Sequence, residues 1–229
     1  MNTRIRNAVY VLLAVFLAGA ASAQTPNGSA NLSPVAAGPM DEVKAAPGVN
    51  FGQFRQVLIA PVKMTFAPGW FREVSDYKFA PNLASTLTHA DAEKIQKDLA
   101  TAFDRVVPDE FVRRGYTLAT AAGPGVMIVE PSVSQVWITN PYHDQGNRIA
   151  VTQSSGKGVF EATLLDSQTG ATIGYSRVRL STLPIAPQFT KSSDVFVRAD
   201  WEDMFKRWAQ LQAGRLDTMK GQTVAARIQ

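Results

Sequence analysis

Cysteine is absent from the whole chain, and this constrains the fold more than any other single feature. Without a cysteine thiol there are no disulfides, no zinc–thiolate sites and no thiol nucleophile. A chain of this kind holds together by burial alone. About 200 residues suffice for that, because a domain of such size buries roughly 70% of the surface its unfolded form exposes.

The N-terminus has the layout of an export signal. Arg4 and Arg6 give a positive start, Ala8 to Leu17 form an apolar run, and Ala21-Ser22-Ala23 is an A-x-A pattern before Gln24. The uncharged stretch Ala8–Ala23 is shorter than the roughly 20 residues a spanning helix needs. Cleavage between Ala23 and Gln24 is therefore expected, giving a periplasmic or secreted protein that is soluble once cleaved. "FLAGAASAQ" (Phe16–Gln24) resembles the run-up to a lipid-attachment cysteine, but alanine at position 20 offers no sulfur for a thioether, so no lipid anchor is expected. Without Arg4 and Arg6 the 23 basic residues fall to 21 against 19 acidic ones, a net charge of +2. Neither that balance nor the compartment points to nucleic acid.

Gln24 to about Gly52 is rich in Ala, Pro, Gly, Ser and Asn and poor in large apolar residues, which predicts a flexible leader. The expected organisation is a signal peptide (1–23), a leader (24–52), one α+β envelope domain (53–220) and a tail (221–229). "QVLIAPV" (Gln56–Val62) reads as a buried strand stopped by Pro61. The following segment, with Phe66, Trp70 and Phe71 around Pro68-Gly69, reads as a long loop packed onto the domain, with a partly paired edge strand as the alternative.

Thr88 with Asp91 three residues on marks a helix start. Ile95, Leu99, Ala102, Phe103 and Val106 make an apolar stripe, and Pro108 predicts an end near Val107. "YTLATAA", "VMIVEPSVSQVWIT", "IAVTQSS", "GVFEATLLD" and "ATIGYSRVRLS" read as strands of an antiparallel meander, with Gly170 supplying positive φ at a hairpin. A last helix is expected after an Asp200 cap, with Trp201, Met204, Phe205, Trp208 and Leu211 on its buried stripe. The order predicts a single α+β domain, a largely antiparallel sheet with two main helices packed on one face.

Catalytic motifs are sparse. The only histidines are His89, at the helix start, and His143, in the loop "NPYHDQGN" beside Tyr142. Two isolated histidines without cysteine make no convincing metal set, and no cofactor is expected. "GATIGYS" lacks the G-x-S-x-G elbow. "SSGKGVF" fails as a phosphate loop, because Gly158 follows Lys157 where Ser or Thr belongs. The remaining enzymatic route is a pair of strand carboxylates, Glu130 and Glu161, although Arg177 or Arg179 pairing with Glu161 across a hairpin accounts equally for that charge.

"VLIAPV" (Val57–Val62), "LLDSQTG" (Leu164–Gly170) and "WAQLQAGRLD" (Trp208–Asp217), in that order over roughly Phe51 to Met219, resemble a bacterial family of envelope lipoproteins, domain-of-unknown-function family 3313. The resemblance implies an envelope location and a compact sheet domain. It carries over no catalytic residue, and many relatives have the acylated cysteine where this chain has Ala20. The functional expectation is a non-catalytic interaction module docking on an envelope protein partner, with Phe66, Trp70, Phe71, Tyr142 and His143 as contact candidates. The alternative is a periplasmic hydrolase or small-ligand binder using Glu130, Glu161 and the Tyr142–His143 loop.

Overall fold

The computed structural model describes residues 32–38, 41–75, 87–139, 151–152, 155–182, 190–191 and 194–220. The signal segment with Ala23 and Gln24, the loop carrying Tyr142 and His143, and the 221–229 tail lie outside these residues. In chain order the strands are β1 (Ser33–Gly38), β2 (Asp41–Ala45), β3 (Gln56–Ile59), β4 (Lys63–Phe66), β5 (Thr117–Leu118), β6 (Val126–Ile138), β7 (Val151–Thr152), β8 (Gly156–Asp166), β9 (Thr172–Ser181) and β10 (Thr190–Lys191). The helices are α1 (Trp70–Ser75), α2 (His89–Arg113) and α3 (Asp194–Lys220). One mixed sheet has the order β1-β2-β9-β8-β6-β3-β5, with β4 also on β6. It is an α+β domain, as its sequence pattern predicts.

The β6–β8–β9 meander is antiparallel, and Gly170 turns the last hairpin at φ 69°. β3 and β4, by contrast, run parallel to β6 and are joined to it through α2. "QVLIAPV" is thus only half of an interrupted strand, because the chain resumes pairing after Pro61. At the break, the Val62 N–H donates to Asp104 Oδ1 of α2 at 3.0 Å. Gln96 Nε2 of the same helix donates to the Met64 carbonyl at 2.6 Å. Burial holds the Asp104 carboxyl above its usual range, and the Val62 N–H offsets part of that.

Four expectations require correction. The leader is folded from residue 33: β2 pairs antiparallel with β9, Val43 and Ala45 are buried, and Phe51 in a short 3-10 turn is 1% exposed. Composition misleads there because β2 is held by backbone pairing and by an Asp41–Arg215 ion pair to α3 rather than by large side chains. The capping box at Thr88 and Asp91 forms as expected, yet α2 continues through Pro108 to Arg113. Proline in a helix interior costs about 3 kcal/mol, and Val107 and Phe111, both fully buried, offset it. The third correction is the segment after Pro61, which is β4 followed by α1 instead of a loop. Finally, α3 starts at Asp194, well before Asp200, which accepts from Ser155 Oγ. Along α3, Trp201, Met204, Phe205 and Trp208 are fully buried while Leu211 is exposed; the stripe continues through Ala209, Gln212, Ala213, Leu216 and Met219.

All three helices lie on one side of the sheet. Phe103 of α2 meets Phe205 and Trp208 of α3, with ring centroids 5.2 and 5.1 Å apart. Phe160 of β8 meets the same two rings from below. Trp201 lies flat on Gly156, where an added Cβ would fall 2.5 Å from the Trp137 carbonyl oxygen and 2.7 Å from the indole. No described helix is long and apolar enough to cross a membrane.

Candidate functional site

Phe66, Trp70 and Phe71 belong to this helix-covered side. Trp70 is fully buried, stacks on Phe66 at 3.9 Å, and its indole N–H donates to the Ile138 carbonyl at 3.0 Å. Phe71 is half-buried and stacks on the exposed His89 at 4.1 Å. Trp70 is thereby removed from the contact candidates, while Phe66 and Phe71 are half-buried. Their place is to fix α1 against β4, β6 and the start of α2.

The opposite, outer face of the sheet is left uncovered by any described helix, and strand register orders its side chains in rows. Because paired residues share a face and successive residues along a strand switch faces, the register between β6, β8, β9 and β2 settles the rows. The first row is Trp137, Lys157 and Ser181, and the second is Ser134, Val159 and Arg179. In the third, Lys63 of β4 leads to Ser132, Glu161, Arg177 and Glu42. The fourth is Glu130, Thr163, Tyr175 and Lys44. A bulge in β6 between Ser134 and Trp137, with Gln135 at φ 52°, brings the first row onto this side.

Glu161 stands at the middle of this face with its carboxylate engaged. Tyr175 donates to Oε1 at 2.6 Å, Arg177 Nε lies 3.4 Å from the same oxygen, and Ser132 Oγ is 3.3 Å from Oε2. The cross-hairpin pairing of Arg177 with Glu161 is thus formed. Glu42 and Lys44 close a second pair at 2.5 Å. Burial, and then the hydrogen bond to Glu161, raise the Tyr175 phenol well above the usual tyrosine range. Glu130 is exposed one row away. The two carboxylates share a face that no described helix covers, and Glu161 is already engaged by three side chains.

A second polar group is buried beneath the helices. The Gln212 amide, with its oxygen toward the donors, accepts from Trp208 Nε1 at 3.2 Å and Arg215 Nη1 at 2.9 Å. Its nitrogen donates to Ser176 Oγ at 2.7 Å. Arg215 in turn holds Asp41. This cluster ties α3 to β9 and β2, and its closed inventory of partners suits a structural role. Among the described residues, no group of three His, Asp or Glu side chains is placed to hold a metal.

Sequence reasoning found Glu161 and Arg177 but missed the face as a unit, because the rows exist only once β2 and β4 join the sheet. The alternation Lys157, Val159, Glu161 against Tyr175, Arg177, Arg179 was the available signal.

Fold and face together define a class: a two-layer α+β domain, with helices on one side of a mixed sheet and an open polar surface on the other. The chain belongs to the family described as protein of unknown function DUF3313, whose model matches residues 34–179. The match begins within β1, in the segment composition assigns to the leader, and ends before α3. No curated protein matches the chain. Among solved structures it is similar to the PelC dodecamer from Paraburkholderia phytofirmans, at 9% identity and TM-score 0.35 over 73% of this chain and 94% of that one. A DUF330 protein from Xanthomonas campestris is similar at 14% identity and TM-score 0.36, over 75% and 90%. A DUF4136 family protein from Bacteroides thetaiotaomicron is similar at 10% identity and TM-score 0.34, over 81% and 97%.

Proposed function

We propose that this protein is an exported accessory domain of the bacterial cell envelope that works by docking a protein partner on the open face of its sheet, without catalysis. The observation that carries this reading is the state of Glu161: its oxygens already hold Tyr175, Arg177 and Ser132 on a face that no described helix covers. A general acid or nucleophile instead needs a carboxylate free to meet substrate in an enclosed site. The export half of the reading rests on Arg4, Arg6, the apolar run and Ala21-Ser22-Ala23.

Two measurements test it. The first is N-terminal sequencing of protein released by osmotic shock; it should begin at Gln24, and an intact Met1 in the membrane fraction would refute export. The second places a photo-crosslinking residue at Ser134 or Thr163 in cells. A discrete protein adduct is expected from these positions and not from exposed Lys97 on α2. Absence of any adduct from the face would refute docking there.

A further inference from the structure

The open face is not electrically uniform. Five cations (Lys44, Lys63, Lys157, Arg177 and Arg179) share it with three carboxylates (Glu42, Glu130 and Glu161). The internal pairs Arg177–Glu161 and Lys44–Glu42 cancel. Exposed Lys157 and Arg179 have no ion pair among the described residues, and they occupy neighbouring rows at the end of the face where β9 runs on beyond β2. The Lys157 ammonium lies 5.7 Å from the centre of the half-buried Trp137 ring, and Ser134, the buried Val159 and Ser181 take the remaining places of these two rows. Exposed Lys63 adds a further unpaired cation from β4, whereas Glu130 is the one unpaired carboxylate.

We propose that the end of the face bounded by Trp137, Lys157 and Arg179 binds an acidic segment of the partner protein. This rests on the docking reading and names the chemistry of what docks. Charge complementarity selects the occupant. A second copy of the same face would bring net positive charge against net positive charge, which opposes association. An extended anionic bilayer would press on Glu130 as well as on the cations, while a short acidic segment meets only the basic end. Trp and Arg are also the side chains that concentrate binding energy in protein interfaces.

The test uses the mature chain from Gln24 and a fluorescent oligoglutamate peptide, read by anisotropy. Binding is expected at low salt and should weaken toward physiological ionic strength. Lys157→Glu with Arg179→Glu should weaken it about tenfold or more, with Lys157→Gln and Arg179→Gln as the milder pair should the reversal fail to fold. Glu130→Lys should tighten binding. Lys97→Glu with Arg114→Glu, away from the face, should leave it unchanged. Absence of binding, or equal weakening by the remote pair, would overturn the proposal. So would preferential binding to phosphatidylglycerol vesicles, or self-association in sedimentation that the reversal abolishes. The in-cell adduct at Ser134 separates the two readings. An adduct that survives the reversal leaves docking standing and removes its acidic chemistry, whereas no adduct at all removes docking itself.

Discussion

The two faces of the one sheet follow opposite rules. On the helix side, β8 contributes Gly156, Gly158, Phe160, Ala162 and Leu164, all buried, with Phe160 against the Phe205 and Trp208 rings of α3 and Gly156 against Trp201. On the open side the same strand contributes Lys157, Glu161, Thr163 and Leu165 around the buried Val159, and here order comes largely from ion pairs and hydroxyls. One face is specified by shape, the other by charge. Stability should therefore reside on the first and recognition on the second, and the two should separate under mutation.

The largest effect is expected from Trp208→Ala. It removes a fully buried ring that touches both Phe103 and Phe160 and should cost about 3–5 kcal/mol in denaturant unfolding. Gly156→Val comes next, because the new side chain meets the Trp137 backbone and the Trp201 ring; overpacking of this kind costs about 1–3 kcal/mol or more. Arg215→Met, which strands Asp41 and one acceptor of Gln212, should cost about 1–3 kcal/mol. Glu161→Gln or Lys157→Ala on the open face should change stability by no more than about 0.5 kcal/mol. A loss there as large as that of Trp208→Ala would break the contrast.

A pH measurement sharpens it further. Burial and a carboxylate partner raise both Tyr175, on the open face, and Tyr116, which donates to Asp217 at 2.6 Å beneath a Lys220 ammonium. A raised pKa means the folded chain keeps a proton that the unfolded chain releases near pH 10. The stability tied to these phenols is therefore complete below about pH 10 and is lost as pH climbs toward the folded values. In an alkaline absorbance titration two tyrosines should ionise late, and Tyr175→Phe should remove one of them.

Much of the helix side was legible in the sequence, for a physical reason. Stripes such as Leu99, Ala102, Phe103 and Val106, or Trp201, Met204, Phe205 and Trp208, report burial directly through their period. What was not legible depended on partners distant in sequence. Val43 and Ala45 look like leader composition until β9 is placed beside them. Pro108 looks like a helix stop until Phe111 is seen to need the next turn. Trp70 and Phe71 look like a recognition loop because aromatics near Pro and Gly read alike whether they face solvent or a neighbouring helix. The candidate face suffered most, since its rows combine five strands, β2, β4, β6, β8 and β9, spread between residues 41 and 181.

The pairing of β2 with β9 has a consequence for how the molecule is made. Ala45 lies opposite Gly174 and Asp41 opposite Val178, so the β1–β2 hairpin, the first to emerge, must wait for most of the chain before it has a place in the sheet. Closing so long a loop is entropically slow. The first hairpin synthesised is thus among the last to settle, and a chain cut short before residue 174 would leave β1 and β2 with only each other.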